Sequence, residues 1–170
     1  AKHAIAVSNG TAALHLAAMA LDLGPGDAVV VPTLTFLATA NAARYVGAEV
    51  IFADVDPKTG LLTSDTLTDA LKRGGSDVRA VFPVHLNGQT ADMTAMTAVE
   101  GAADLAFVED SCHALGGMQT TSGGTPAPVG CCADSAMTVF SLHPVKVVAM
   151  GEGGAITTND SLLNDRIRRL

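Results

Sequence analysis

Three short segments bring together residue types that could do chemistry. The first is Ser8-Asn9-Gly10-Thr11, which joins an apolar run (residues 4–7) to an Ala- and Leu-rich stretch. A strand that turns through small residues straight into a helix presents free N–H groups and a helix dipole, and phosphate is the usual occupant of such a site. A turn that merely caps the helix would look the same, and neither G-x-G-x-x-G nor the P-loop pattern is matched. The second is Asp110 in VEDSCHALGG (108–117), at the mouth of an apolar run. A carboxylate so placed must be hydrogen-bonded or paired with a cation, so it either caps a turn or holds a protonated ring nitrogen. The third is Lys146 in FSLHPVKVVAMGEGG (140–154). If desolvated, this lysine is a nucleophilic amine able to form a Schiff base; if exposed, it is an ordinary surface lysine. An anion cradle, a strand-end carboxylate and a strand-end amine are together what pyridoxal phosphate requires, for its phosphate, its pyridine nitrogen and its aldehyde.

The elements that must position these groups alternate. β-branched runs at 4–7, 28–32, 49–55, 78–84, 104–109, 137–142 and 154–158 predict strands, while 11–23, 36–46, 63–72 and 92–102 predict helices. Near-continuous apolar strands between helices indicate a three-layer α/β/α fold with a mostly parallel sheet. In such a sheet ligands sit beyond the carboxyl ends of the strands, where all three segments fall. Residues 117–130, rich in Gly, Ser, Thr and Pro, predict a surface excursion, a small hairpin or a lid.

Composition narrows the function. The 170 residues are 48% hydrophobic and 16% charged, with a net charge of −7. That excludes a disordered tail and disfavours nucleic acid or an anionic membrane as a partner. No apolar run is long enough to span a bilayer. Cys112, Cys131 and Cys132 are odd in number, two of them adjacent, which is no disulfide framework; they read as reduced thiols of a cytoplasmic protein. A metal site joining them to His113 would lack the C-x-x-C spacing, so no metal is expected. Both ends look cut, which predicts a piece of a longer protein.

SNGTAALHLA (8–17), the run from Val29 to Gly60, FPVHLNGQTADM (82–93), VEDSCHALGG (108–117) and FSLHPVKVVAMGEGGAITTND (140–160) resemble the DegT/DnrJ/EryC1/StrS sugar aminotransferases, which are fold-type-I pyridoxal phosphate enzymes. The resemblance covers nearly the whole chain. It implies that residues 1–170 are part of the large cofactor-binding domain, without the N-terminal helical segment and the small C-terminal domain. By position, Lys146 would bind the cofactor aldehyde and shuttle the proton, Asp110 would pair with the ring nitrogen, and His113 would contact the ring hydroxyl. Phe36 would stack on the ring, and Gly10, Thr11 and Ser141 would hold the phosphate. The family often has Gln where His113 stands. It commonly has a polar residue after the lysine, where this chain has Val147-Val148-Ala149-Met150. The implied substrates are L-glutamate and a nucleotide sugar, and the implied assembly is a homodimer. The HALGG and HPVK versions are most similar to the branch of pseudaminic acid biosynthesis, which aminates C4 of a UDP-linked 4-keto-6-deoxy sugar. A sugar dehydratase on this scaffold would carry His in place of Lys146. A cofactor-binding regulatory relative or an inactive fragment is the other alternative.

Overall fold

Strands made of Val, Ala and Ile without polar alternation need cover on both faces, and the fold supplies it. The computed structural model describes residues 1–170. In chain order the elements are β1 (His3–Val7), α1 (Gly10–Ala20), β2 (Ala28–Pro32), α2 (Leu37–Tyr45), β3 (Glu49–Ala53), α3 (Ser64–Gly74), β4 (Val78–Val81), α4 (Met93–Thr97), β5 (Ala106–Asp110), β6 (Met118–Thr120), β7 (Pro126–Pro128), β8 (Met137–Ser141), β9 (Gly154–Thr158) and α5 (Ser161–Ile167). The main sheet has seven strands in the order β1-β9-β8-β5-β4-β2-β3. β9 runs antiparallel to both its neighbours, and every other pairing in this sheet is parallel. The α/β/α expectation with a mostly parallel sheet therefore holds.

β2 shows how the sheet is sandwiched. Val29 and Val31 join the core formed with α1, α2 and α5, while Ala28 and Val30 join the core formed with α3 and α4. α1 buries Ala13, Ala17, Ala18 and Ala20, small side chains that let its backbone lie close to the strands.

Several predicted boundaries shift for identifiable reasons. α1 ends at Ala20 rather than Leu23, because Asp22 adopts φ 62° and the Leu23 N–H turns back to the Ala18 carbonyl at 3.2 Å. This is the left-handed close that helices use at their C-terminal end. α4 covers only Met93–Thr97 of the predicted 92–102. α3 begins where a reciprocal cap forms between Thr63 and Thr66. The excursion at 117–130 is the β6–β7 hairpin, with Val129 packed beside Ala114 and Phe140. No helix is long and apolar enough to cross a membrane.

The reversal of β9 matters for the site. Gly154, its first residue, sits opposite both Val7 and Ser141, the last residues of β1 and β8. The loop carrying Lys146 and the turn preceding α1 therefore meet at one edge of the sheet.

Candidate functional site

Asn9 starts α1. Its Oδ1 accepts the Ala12 N–H at 2.9 Å, and its carbonyl accepts the Ala13 N–H at 3.0 Å. The cap thus satisfies the later donors of the first turn and leaves the N–H groups of Gly10 and Thr11 to the cleft. Capping and anion binding, alternatives on paper, coexist here. The reason for glycine at position 10 lies in the packing. A Cβ there would stand 2.9 Å from Cys112 Sγ and 2.9 Å from Ser141 Cβ, so its absence lets the helix end rest on β8. Gly154 does the same from the other side, since a Cβ on it would lie 2.7 Å from the Asn9 carbonyl carbon.

Asp110, the last residue of β5, is buried. Its Oδ2 accepts the Thr39 hydroxyl proton at 2.7 Å and its Oδ1 accepts the Cys112 N–H at 3.2 Å. An ionised carboxylate offers about four acceptor positions, so capacity remains for a further N–H donor. Thr39 is the functional residue that sequence reasoning missed. In sequence its only mark is a threonine among the alanines of α2; its full burial against Asp110 emerges only in the fold. Burial pushes the Cys112 thiol up, the Asp110 carboxylate beside it pushes the same way, and the Lys146 ammonium opposes both. Cys112 is thus a neutral thiol and a poor nucleophile. Desolvation lowers the His113 pKa, the Lys146 charge lowers it further, and Asp110 works in the opposite direction.

Lys146 lies in the loop between β8 and β9, half-buried. A turn closes through its N–H to the His143 carbonyl at 2.9 Å. The loop is tied to the sheet at its base by Leu142 N–H to Gly153 O at 2.8 Å and by Met150 N–H to Leu142 O at 2.9 Å. Gly10, Thr11, Phe36, Asp110, His113, Ser141 and Lys146 all line one cleft of about 360 Å³. That volume lies in the usual range for small-molecule sites. Thr35, Val84, Leu86, His143 and Glu152 also contribute to its wall. Phe36 is 65% exposed, so its ring is free to cover a flat ligand rather than committed to the core.

The residues present fit pyridoxal phosphate on three counts. Two first-turn N–H groups, with the Thr11 and Ser141 hydroxyls nearby, suit its phosphate. A buried carboxylate with open acceptor positions suits a protonated ring nitrogen. An amine in the same cleft suits its aldehyde.

Residues 1–170 match the DegT/DnrJ/EryC1/StrS aminotransferase family. The chain belongs to that family. Among curated proteins it is 41% identical over 169 residues to GDP-perosamine synthase of Caulobacter vibrioides, covering 99% of this chain and 43% of that protein. It is 38% identical over 170 residues to UDP-N-acetyl-3-dehydro-alpha-D-glucosamine 3-aminotransferase of Acidithiobacillus ferrooxidans, again covering 99% of this chain and 43% of the relative. Among solved structures, an aminotransferase from Psychrobacter cryohalolentis superposes with a TM-score of 0.89 at 33% identity, over 98% of this chain and 40% of that one. NtdA from Bacillus subtilis, solved with bound cofactor PMP, superposes with a TM-score of 0.84 at 29% identity, over 98% and 35%. This family member therefore spans less than half the length of the curated relatives it matches.

Proposed function

We propose that this chain carries the cofactor-binding part of a pyridoxal phosphate-dependent aminotransferase that transfers an amino group from glutamate to a keto group of a nucleotide-linked sugar. One observation carries the reading: an open helix N-terminus, a buried carboxylate and a lysine amine converge on a single cleft. When bound, the cofactor supplies an electron sink and an amine carrier. The residues have separable tasks. Gly10, Thr11 and Ser141 hold the phosphate. Asp110, fixed by Thr39, keeps the ring nitrogen protonated, and its pairing is strengthened by the low local dielectric. Lys146 binds the aldehyde and carries the proton. His113 contacts the ring hydroxyl, and Phe36 covers the ring face.

The two curated relatives both name a nucleoside diphosphate sugar, one GDP- and one UDP-linked, which supports that substrate class. Within it we assign the C4 keto group of a UDP-linked 4-keto-6-deoxy sugar, from the resemblance of the HALGG and HPVK segments. We assign residues 1–170 to part of the large domain of a homodimer. Val145, in the cleft wall, and Leu37, Val147 and Met150, within four residues in sequence of the wall residues Phe36 and Lys146, are exposed apolar surface that a second copy would cover. A dehydratase reading is disfavoured by Lys146 itself.

The test is a spectral titration of the full-length protein. Adding pyridoxal phosphate should raise a visible band, glutamate should bleach it, and borohydride should trap the cofactor on Lys146. UDP- and GDP-linked 3-keto and 4-keto sugars, supplied in turn, identify the acceptor. No visible band, or trapping that survives Lys146→Ala, overturns the assignment; a band with no product from any sugar would favour a regulatory relative.

A further inference from the structure

Glu109 and His85 are fully buried on the side of β5 facing away from the cleft, and the proposed chemistry leaves them unused. His85 Nε2 and Glu109 Oε2 are 2.8 Å apart. His85 Nδ1 accepts the Ala91 N–H at 3.0 Å, so Nδ1 carries no proton, and Nε2 carries the one donated to Glu109. Glu109 Oε1 accepts from the hydroxyls of Ser135 and, at 3.1 Å, of Thr138. The pair is a neutral imidazole donating to a carboxylate. Burial works to raise the Glu109 pKa, but its donors outweigh burial and hold the carboxyl below its ordinary value.

This pair leads back to the cleft. The His85 N–H donates to the Asp110 carbonyl at 3.0 Å, and the Asp110 N–H donates to the Pro83 carbonyl at 2.8 Å. The loop from Leu86 to Ala91 leaves His85 and returns to it at the Ala91 N–H. Leu86 lines the cleft. Asn87, at φ 54°, directs its N–H to His113 Nδ1 at 3.4 Å. A ring nitrogen that accepts cannot carry the proton of a neutral imidazole.

We propose that His85 and Glu109 are positioning residues of the cleft. By clamping residues 86–91 they place the Asn87 N–H against His113, which sets His113 as an Nε2–H donor. Only the identity of the oxygen that His113 meets, the cofactor's ring hydroxyl, rests on the functional reading above.

The test is long-range proton–nitrogen NMR on the full-length protein with ¹⁵N-labelled histidine, without cofactor and at mildly alkaline pH. The His113 signals are assigned by their loss in His113→Gln. The wild type should show His113 as a single Nε2–H tautomer. His85→Gln keeps a donor for Glu109 but displaces the acceptor for Ala91; it should remain folded while His113 becomes a tautomer mixture. His85→Asn keeps an acceptor near the Nδ1 position but loses reach to Glu109; it should melt lower and keep the Nε2–H tautomer. A wild-type His113 that is mixed or Nδ1-protonated overturns the proposal, as does a folded His85→Gln with an unchanged tautomer. On adding pyridoxal phosphate, the ratio of ultraviolet to visible absorbance should shift in His85→Gln alone. If the wild type binds no cofactor, the functional reading fails while the nitrogen spectra still decide this one.

Discussion

Gly10→Ala separates packing from intrinsic propensity. Gly10 opens α1, and even the full helix-interior difference favours alanine over glycine by only up to about 1 kcal/mol, so propensity alone predicts at most mild stabilisation. Packing predicts the reverse. The new methyl would stand 2.9 Å from Cys112 Sγ and 2.9 Å from Ser141 Cβ. Carbon atoms pack best at roughly 3.5–4.0 Å, so the second contact is too short by about 0.6–1.1 Å. Cys112 could rotate its sulfur away, but Ser141 Cβ is fixed to the backbone of β8. The start of α1 must therefore lift. Overpacking of this kind costs about 1–3 kcal/mol, which exceeds the propensity gain. At roughly 2–4 °C per kcal/mol for a chain of this size, melting should fall by several degrees. The lifted turn also carries the Gly10 and Thr11 N–H groups off the anion position. The assay is calorimetry with two titrations, one with pyridoxal phosphate and one with pyridoxal. The substitution should narrow the affinity ratio between them by about tenfold, equivalent to roughly 1.4 kcal/mol. Gly10→Ala combined with Cys112→Ala should recover only part of the loss, because the Ser141 contact remains. Wild-type melting and an unchanged ratio in Gly10→Ala would refute the reasoning.

Other substitutions test the remaining assignments. Lys146→Ala should leave melting intact and abolish borohydride-trapped cofactor, checked by mass spectrometry. Asp110→Asn should keep the affinity for the phosphate end yet cut transamination severely; unchanged turnover would remove the ring-nitrogen role. Thr39→Val deletes one hydroxyl at nearly constant volume and should cost about 1.5–3 kcal/mol in urea unfolding, the usual worth of a bond to a charged group, whereas Thr39→Ser should restore it. The Glu109 carboxyl is held below its ordinary 4.5, so the ionised group stabilises the fold above that value and the contribution is lost as pH falls below it. The stability advantage of wild type over Glu109→Gln should stay level from neutrality to about pH 5 and shrink below that; an advantage that grows on acidification would contradict it.

The parts legible in the sequence were those with local causes. The apolar runs of β2 and β8 could only be doubly covered strands, and the alanines of α1 could only belong to a helix packed close. The groups of the cleft were legible because each ends or follows a strand, and those strand ends share one edge. What stayed hidden depends on contacts distant in sequence. Thr39 reaches Asp110 across 71 positions and His85 reaches Glu109 across 24, and no periodicity signals either partner. The reason for Gly10 was likewise invisible, since Ser141 is the neighbour that forbids a side chain there. The antiparallel course of β9 also had no mark in the run 154–158, whose residues suit either direction.

That antiparallel course has a consequence for assembly. β1 touches the sheet only through β9, its residues 3–7 lying against 154–158. β1 therefore cannot join the sheet until the strand most distant from it in sequence is in place. Closing so long a stretch of chain is slow. The cradle for the anion, at the end of β1, is thus fixed to the sheet by a contact between the two most distant strands of the chain, whereas β5, which ends in the carboxylate, pairs with strands nearer to it in sequence.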